Sequence, residues 1–277
     1  EGCNNFCTFC IIPWARGLMR SRDPEQVVKQ AQQLVDAGYK EIVLTGIHTG
    51  GYGQDLKDYN LAMLLRDLET KVTGLKRLRI SSIEASQITD EVMDVLRDSK
   101  IIVNHLHIPI QAGSDTVLKR MRRKYTMEFF GERLTKLKEV LPDLAITSDV
   151  IVGFPGETEE EFEKTYNFLK DIGLSQMHIF KYSPRKGTKA ADMENQVSPQ
   201  IKHERSEKLL QLNKENFMKF ASKSVGKEFE VLFEQKVGDD KYEGLTPNYL
   251  KTFVTCDEDI CGKIMKVKIT EVKDEYV

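Results

Sequence analysis

The sequence predicts an α/β protein with a small all-β part at its C-terminus, and three observations lead to this prediction. Five apolar, strand-like runs alternate with helical segments up to residue 222, which is typical of βα units that form a parallel sheet. Polar and glycine-rich residues follow these strands, at the end where α/β folds bind ligands. After Gly226 the pattern changes to short strands separated by turn signals, which indicates a small β-barrel.

The individual elements follow from capping signals and periodicity. The first helix begins after the N-cap Asp23 and the helix-starting Pro24, and Gly38 ends it. The predicted strands of the parallel sheet cover residues 41–47, 77–83, 105–110, 144–152 and 175–182. The predicted helices between and after them lie near residues 60–72, 89–98, 114–121, 126–140, 158–171 and 199–222. The predicted C-terminal strands cover residues 228–234, 251–255 and 263–272. We therefore expect two domains, residues 1–225 and residues 226–277.

Composition limits the class of protein. No apolar run approaches the roughly 20 residues that a membrane-spanning helix needs, so we expect no membrane partner. The chain has few cysteines, and three of them are clustered with the spacing of ligands, which favours a reducing, cytoplasmic compartment. The net charge is −2, but residues 226–277 carry eight lysines, no arginine and twelve acidic residues, a net charge of −4. The chain begins two residues before its first cysteine, so we interpret it as a fragment that lacks upstream sequence.

Three of the five cysteines form a CxxxCxxC pattern at Cys3, Cys7 and Cys10. A disulfide within so short a loop would be strained and would leave one thiol over. Structural zinc prefers four ligands, and no histidine or fourth cysteine lies nearby in the sequence. A 4Fe-4S cluster normally takes four thiolates, so three would leave one iron open for a substrate or cofactor. The pattern favours such a cluster, with zinc or an unliganded loop as alternatives.

Several motifs together resemble one enzyme family. They are EGCNNFCTFCIIPWARG, LTGIHTGGYG, RISSIE, HLHIPIQAGSD, SDVIVGFPGET and the KYSPRKGT loop, and GLTPNYLKTFV near the end is similar to a TRAM domain. The set resembles the radical S-adenosylmethionine (SAM) methylthiotransferases, most closely those that modify threonylcarbamoyl-adenosine beside the tRNA anticodon. The resemblance covers essentially the whole chain. It implies an open, partial TIM-type (β/α)6 barrel, whose first strand would precede Glu1, followed by a TRAM-like barrel.

The resemblance also implies cofactors and partners. The open iron of a 4Fe-4S cluster would chelate SAM, and tRNA would be the macromolecular substrate. An electron donor such as flavodoxin or ferredoxin would reduce the cluster, whereas the source of sulfur is not indicated. The family carries an N-terminal domain with three more cysteines and a second 4Fe-4S cluster. Cys256 and Cys261 lie at the opposite end, so we interpret them as ordinary thiols and expect this fragment to retain only the SAM chemistry.

The resemblance places several residues near SAM, and the protein's role would be to position the cofactor and to exclude water rather than to supply a catalytic side chain. Phe9 resembles the residue that packs on the SAM adenine, with ordinary loop packing as the alternative. Thr45, Gly46 and their neighbours up to Gly50 fall where these proteins meet the SAM amino group, or form a plain strand-to-helix turn. Val152 begins a loop that resembles the one near the adenine.

Polar residues at strand ends supply further candidates. Ser82 and Glu84 end the second strand, where Glu84 would bond SAM or cap the next helix. Gln111 presents an amide toward the same face, for SAM or substrate. Arg122 or its neighbour Arg123 suits the SAM carboxylate, since arginine pairs with planar carboxylates through two bonds.

Asp149 lies within an apolar strand, so its charge needs a partner or ligand. Strand alternation directs Asp149 and Ile151 toward the barrel lumen, away from Val150 and Val152. His105 and His107 also alternate with apolar residues, and we interpret them as satisfied core or rim histidines rather than metal ligands.

Basic residues supply the predicted RNA contacts. The C-terminal domain is acidic overall, whereas phosphate binding requires Lys and Arg. Either that domain has a local basic face, or most phosphate contacts come from Arg16, Arg20, Arg22, Arg185 and Lys186. Two alternatives stay open. One is another methylthiotransferase substrate, either isopentenyl-adenosine in tRNA or an aspartate of a ribosomal protein. The other is a non-catalytic RNA-binding module with a structural metal.

Overall fold

The computed structural model describes all residues, Glu1–Val277. The parallel strands are β1 (Glu41–Leu44), β2 (Arg77–Ile80), β3 (His105–His107), β4 (Ala145–Val152) and β5 (Gln176–Lys181). The helices are α1 (Ile12–Arg16), α2 (Pro24–Asp36), α3 (Leu61–Lys71), α4 (Asp90–Asp98), α5 (Asp115–Met121), α6 (Met127–Val140), α7 (Glu159–Ile172) and α8 (Pro199–Ala221). The C-terminal strands are β6 (Glu228–Lys236), β7 (Lys241–Leu245), β8 (Lys251–Thr255) and β9 (Ile264–Lys268).

The first five strands form an open parallel barrel wall. β1 pairs with β2, and β3, β4 and β5 pair in that order. Two isolated parallel bridges, Leu78 with Ile102 and Ser82 with His107, connect the β2 and β3 segments. The strands therefore follow one another in chain order around the wall, as the βα alternation predicts.

Side chains alternate between a helix-covered face and a polar lumen. On β4, Val150 and Val152 are buried in the core between sheet and helices, whereas Asp149 and Ile151 are partly exposed on the other face. The core that the strands share with the helices contains 43 buried residues, so it stabilises most of the first 212 residues as one unit. The predicted orientation of Asp149 toward the lumen is confirmed.

Capping residues set the helix limits as the sequence predicts. The side chain of Asp23 accepts a hydrogen bond from the Gln26 amide, with Pro24 in the first turn of α2. Thr158 and Glu161 form a reciprocal capping box at the start of α7. The strands β1, β2 and β3 are shorter than predicted, and the short helix α1, which was not predicted, follows directly after the cysteines.

The C-terminal part is an antiparallel sheet in the order β8-β7-β6-β9. Its end strands, β8 and β9, do not pair with each other, so the sheet is a curled half-barrel, and the small all-β domain that the sequence predicts is confirmed. The strand β7, which lies between the two turn signals, was not predicted. A small cluster of Val231, Phe233, Tyr242 and Ile260 forms its own core.

The C-terminal sheet packs against the amino ends of the parallel strands. Arg77, at the start of β2, donates from Nη1 to the Leu245 carbonyl at 3.1 Å and from Nη2 to the Glu230 carbonyl. Tyr249 stacks on His105, the first residue of β3, with ring centroids 4.2 Å apart. This sheet therefore lies at the end of the barrel opposite the carboxyl ends of the strands, where α/β folds bind ligands.

Candidate functional site: the cysteine loop and its cavity

The cysteine loop is held at both ends by main-chain hydrogen bonds. The Cys3 amide donates to the Gly17 carbonyl at 3.2 Å, and the Cys10 amide donates to the Cys7 carbonyl at 3.0 Å. Gly2 adopts a φ of 72°, and a Cβ there would lie 2.1 Å from the Leu18 carbonyl oxygen. Glycine is therefore required beside the first cysteine, both for this backbone conformation and for the close approach of the returning chain.

The three thiols line one cavity of about 220 Å³ at the carboxyl ends of the strands. All three cysteines are free and partly exposed. Burial raises the pKa of the Cys3 thiol and of the Cys7 thiol, and the other two cysteines raise that of Cys3 further. Because three neighbouring thiolates repel one another, the arrangement favours a cation among them.

Five residues that the sequence singled out line the same cavity. They are Phe9, Ser82, Glu84, Gln111 and Asp149. Gln111 has a φ of 67°, a left-handed conformation that is uncommon for a residue other than glycine. Its amide donates to the Asp149 carbonyl at 2.9 Å, and its carbonyl accepts from Ile151, so the ladder with β4 holds this conformation. Strained backbone of this kind concentrates at ligand sites.

Arg123 is the main positive charge of the cavity. Its Nη1 atom lies 2.9 Å from Glu84 Oε1 and 3.4 Å from Cys7 Sγ. Its Nη2 atom is buried without a hydrogen-bond partner, and its Nε donates to the Tyr125 hydroxyl at 3.2 Å. A buried donor without a partner is costly, so the site offers one unused N–H group to an anionic ligand.

The sequence offers either Arg122 or Arg123 for the SAM carboxylate. Arg122 takes the left-handed conformation that ends α5, with a φ of 61°. It lines a different pocket on the far side of the cysteine loop, together with Trp14 and Lys189. The turn after α5 thus directs the two adjacent arginines to opposite sides of the loop, and it is Arg123 that reaches the cavity.

Asn5 and His48 complete the cavity wall; Asn5 was not predicted, whereas His48 lies within the predicted run from Thr45 to Gly50. Asn5 Nδ2 donates to Glu84 Oε1 at 2.8 Å and lies 3.5 Å from His48 Nε2. His48 also contacts Gln87 through the same ring nitrogen, and burial lowers the pKa of its imidazole. Asn5 lies between the first two cysteines, and this polar side chain inside the motif was the one sign in the sequence that it could belong to the site.

Other predicted SAM residues lie outside this cavity. Thr45 and Gly46 line a neighbouring cavity of about 340 Å³, which shares Ile47 and His48 with the first. Gly50 packs against Gln87, whose Oε1 atom would lie 2.1 Å from an added Cβ.

Val152 lines neither cavity. It is 1% exposed and faces the helix-covered core. Its carbonyl accepts from the Tyr182 amide at 2.9 Å, within the strand ladder. The loop that follows reaches the site through Phe154, whose ring meets that of Phe9 edge-on at 6.3 Å. The side chain of Val152 therefore supports the loop from behind.

The predicted RNA-binding residues are all exposed around the cysteine loop. They are Arg16, Arg20, Arg22, Arg185 and Lys186. The loop that carries the last two packs on the cysteine loop, where the Ala190 amide donates to the Thr8 carbonyl at 2.9 Å. Of the five, only Arg20 forms an ion pair, with Glu1 at 3.2 Å. The others leave their charges available to an anion.

The donor set fits an iron–sulfur cluster with one open position. Three thiols face one cavity, the buried Nη2 of Arg123 lacks a partner, and no disulfide competes for the sulfurs. Cys256 and Cys261 lie in the C-terminal sheet region and supply no fourth ligand.

No helix has the length and apolar character needed to cross a membrane.

Comparisons with known proteins agree with this geometry. The model of the radical SAM superfamily matches residues 1–169, and that of the TRAM domain matches residues 222–277. The chain is 63% identical to the threonylcarbamoyladenosine tRNA methylthiotransferase MtaB of Bacillus subtilis, over 100% of this chain and 62% of the relative. It is 42% identical to a tRNA-2-methylthio-N(6)-dimethylallyladenosine synthase of Thermoanaerobacter, over 98% of this chain and 58% of that protein.

A solved structure shares the fold. It is the radical SAM methyltransferase TsrM of Kitasatospora setae, solved with cobalamin and a [4Fe-4S] cluster bound, with a TM-score of 0.57 and 17% identity. The match covers 69% of this chain and 37% of that one. The chain spans about three fifths of the length of the two sequence relatives. With a family model that matches residues 1–169, and with three cysteines on one cavity, the chain belongs to the radical SAM superfamily.

Proposed function

We propose that this chain is the SAM-cleaving and RNA-binding part of a cytoplasmic tRNA methylthiotransferase that acts on threonylcarbamoyl-adenosine beside the anticodon. The observation that carries the proposal is the convergence of Cys3, Cys7 and Cys10 on one cavity in a chain 63% identical to MtaB. We further propose that residues 1–225 form the SAM domain and residues 226–277 the TRAM domain.

Cys3, Cys7 and Cys10 would hold a 4Fe-4S cluster and leave one iron open for SAM. When bound, the cluster and SAM together supply a 5′-deoxyadenosyl radical, through one-electron reductive cleavage of the SAM C5′–S bond. The chain's own contribution is to bind, orient and exclude water. The unpartnered Nη2 of Arg123 would bind the SAM carboxylate, while Glu84 holds the guanidinium through its ion pair and accepts from Asn5.

The remaining cavity residues would position the adenine and ribose of SAM. Phe9 packs edge-on against Phe154 and presents its ring to the cavity, which suits an adenine. Gln111, Ser82 and Asp149 place polar groups at the carboxyl ends of three strands, where a ribose or the acceptor base would bind. Thr45 and Gly46 lie in the adjoining cavity and would contact the SAM amino group from that side.

Anaerobic iron and sulfide reconstitution tests the SAM chemistry. We expect about four irons per chain after reconstitution. Reduction with dithionite in the presence of SAM should then produce 5′-deoxyadenosine. Cys7→Ala should abolish both the full iron content and the product. Cys256→Ala is the matched control, because that thiol lies outside the cavity, and it should leave both unchanged. Zinc without sulfide would favour a non-catalytic RNA-binding module and would remove the proposal.

The acceptor requires a separate measurement. Nucleoside analysis of tRNA from a strain that lacks the gene should show threonylcarbamoyl-adenosine without its methylthio group. Loss of the methylthio group from dimethylallyl-adenosine instead would support the activity named for the 42%-identical relative. The identity of 63% to MtaB supports the first outcome.

The exposed basic residues supply the proposed tRNA contacts. Arg185 and Lys186 carry no acidic partner and lie on the loop that packs against the cysteine loop. Replacing both with glutamine should weaken tRNA binding. The association constant should also depend less steeply on salt, with the magnitude of the slope of log K against log salt concentration reduced by about 2, because each of the two side chains would neutralise one phosphate. Lys227→Gln, at the start of the acidic C-terminal part, is a suitable control. An unchanged slope would exclude these two residues from the RNA interface.

A further inference from the structure

A line of polar contacts runs through the barrel lumen from the C-terminal sheet to the cysteine cavity. Tyr249 stacks on His105, with ring centroids 4.2 Å apart and planes 12° apart. His105 Nε2 lies 3.0 Å from Thr147 Oγ1, which lies 2.9 Å from His107 Nδ1. His107 Nε2 lies 3.3 Å from Asp149 Oδ2, and Asp149 lines the cavity. Each member therefore contacts the next.

The direction of these hydrogen bonds is set at His105. Burial lowers the pKa of the His105 imidazole to about 3, with the Arg79 charge adding to the effect, so the ring is neutral and carries one proton. Its Nδ1 atom is buried and has no partner. An N–H group stranded there would cost about 1–3 kcal/mol. The proton therefore belongs on Nε2, which donates to the Thr147 hydroxyl.

The remaining bonds follow from this first one. Having accepted from His105, the Thr147 hydroxyl donates to His107 Nδ1. His107 then carries its proton on Nε2, which donates to the Asp149 carboxylate. A proton on Nδ1 of His107 would reverse the Thr147 hydroxyl and leave an N–H group at His105 without a partner. The buried end of the line therefore favours the proton on Nε2 of His107, in addition to the Asp149 carboxylate.

Tyr249 shields His105, the buried end of this line of contacts, from water. Its ring covers one face of His105, which is 5% exposed, and Arg79 lies 5.0 Å from the ring centroid of Tyr249. Hydrogen bonds hold the turn that carries it, since Thr246 Oγ1 contacts Asn248 at 2.7 Å and accepts from the Leu250 amide at 2.8 Å. Tyr249 has a φ of 67°, so the turn projects this side chain from an uncommon backbone conformation.

We propose that Tyr249 is a positioning residue that acts through His105, Thr147 and His107 to hold Asp149 as a hydrogen-bond acceptor in the cysteine cavity. The C-terminal sheet thus contributes to SAM chemistry at the far end of the barrel, apart from any part in RNA binding. Only the effect on SAM cleavage rests on the proposed function. The hydrogen-bond direction rests on the geometry alone.

The same geometry bears on metal binding in the lumen. His107, Asp149 and His178 place possible ligand atoms within 4.8 Å of one another. A histidine ligand must offer an unprotonated nitrogen. Because His107 Nε2 carries the proton that Asp149 accepts, this nitrogen is not free to bind a metal. Zn²⁺ at these three residues would therefore have to displace that proton and bind through a tautomer of His107 that the line of hydrogen bonds disfavours.

Long-range ¹⁵N–¹H spectra of the full chain with ¹⁵N-labelled histidine measure the tautomers directly, since there are only five histidines. We expect His107 protonated on Nε2 over Nδ1 by at least about fivefold, the ratio that 1 kcal/mol gives. Thr147→Val, which removes the hydroxyl but keeps the shape, should lower this ratio, because only the Asp149 carboxylate would then favour the proton on Nε2. Tyr249→Ala should do the same by admitting water to His105. Thr147→Ser keeps the hydroxyl, and Tyr249→Phe keeps the ring that stacks on His105, so both should show the wild-type tautomer ratio.

The reconstituted chain supplies the second readout. At equal iron content, Tyr249→Ala should form 5′-deoxyadenosine several-fold more slowly than Tyr249→Phe. A wild-type tautomer ratio in both Tyr249→Ala and Thr147→Val would overturn the proposal. If the wild type forms no 5′-deoxyadenosine, the proposed function fails, and the spectra still decide the hydrogen-bond direction.

Discussion

The buried ion pair between Arg123 and Glu84 leads to a prediction whose size can be worked out from its surroundings. The two side chains are 6% and 16% exposed, and their charged atoms are 2.9 Å apart. In Arg123→Met, Glu84 would keep only the 2.8 Å hydrogen bond from Asn5 to balance its charge. Leaving one member of a buried pair uncompensated costs about 3–5 kcal/mol. For a domain of this size, that corresponds to a fall in Tm of roughly 6–10 °C.

Thermal unfolding followed by circular dichroism, at a fixed scan rate, measures this cost. The double variant Glu84→Gln/Arg123→Met removes both charges and should recover most of the decrease in Tm, because no isolated charge stays buried. Arg123→Lys keeps the positive charge but loses the planar guanidinium with its several N–H donors, so we expect a Tm between those of Arg123→Met and the wild type. A Tm for Arg123→Met within about 2 °C of the wild type would refute the reasoning, since it would mean that water solvates Glu84 freely.

SAM affinity separates the structural part of Arg123 from its part in ligand binding. The double variant should regain stability but not SAM binding, because its cavity lacks the unused N–H group of Arg123. A decrease of roughly 10- to 150-fold in affinity is expected, which corresponds to the 1.5–3 kcal/mol of one hydrogen bond to a charged group. If the double variant binds SAM as the wild type does, Arg123 serves only to neutralise Glu84.

Three further predictions concern other parts of the chain. Gly2→Ala should lower the iron content after reconstitution, because its Cβ would meet a carbonyl oxygen at 2.1 Å. Gly17→Ala is the control with a similar φ and open space, and equal loading of the two would contradict the prediction. Arg77→Met should cost about 2–4 kcal/mol and increase protease cleavage between the domains, since two carbonyl groups would be without their donor. Burial raises the pKa of Glu161, but bonds from Arg120 and others outweigh this and lower it to about 2. Glu161→Gln should therefore be less stable by about 2 kcal/mol at pH 7, and the difference should vanish as the pH falls from 4.5 toward 2; a difference independent of pH would contradict it.

Much of the fold could be predicted because local patterns determine it. The alternation on β4 correctly separated Asp149 from Val150, since one face must contact the helices and the other the lumen. Strand lengths were less predictable, because pairing depends on the neighbouring strand. The apolar run after His105 reads as a strand to residue 110, but regular pairing ends at His107, where the backbone begins its turn toward Gln111.

The contents of the site were only partly predictable. Cysteine spacing identified the loop, because three thiolates within eight residues suit few other arrangements. The sequence could not separate Arg122 from Arg123, since the left-handed residue that ends α5 turns them apart. Nor could it show that Arg77, Arg79 and His105 meet the C-terminal sheet, because these contacts join residues more than 140 positions apart. The predicted roles in SAM and RNA binding stay predictions.

The contacts of Arg77 have a consequence for building chimeric enzymes. Its two bonds to the C-terminal sheet end on main-chain carbonyl oxygens, which any sequence supplies. A foreign sheet of the same shape could therefore dock through Arg77 without a matching side chain. The stack on His105 makes the opposite demand, because it needs an aromatic ring at position 249. Exchange of this domain between relatives should thus preserve assembly more easily than it preserves the chemistry at the other end of the barrel.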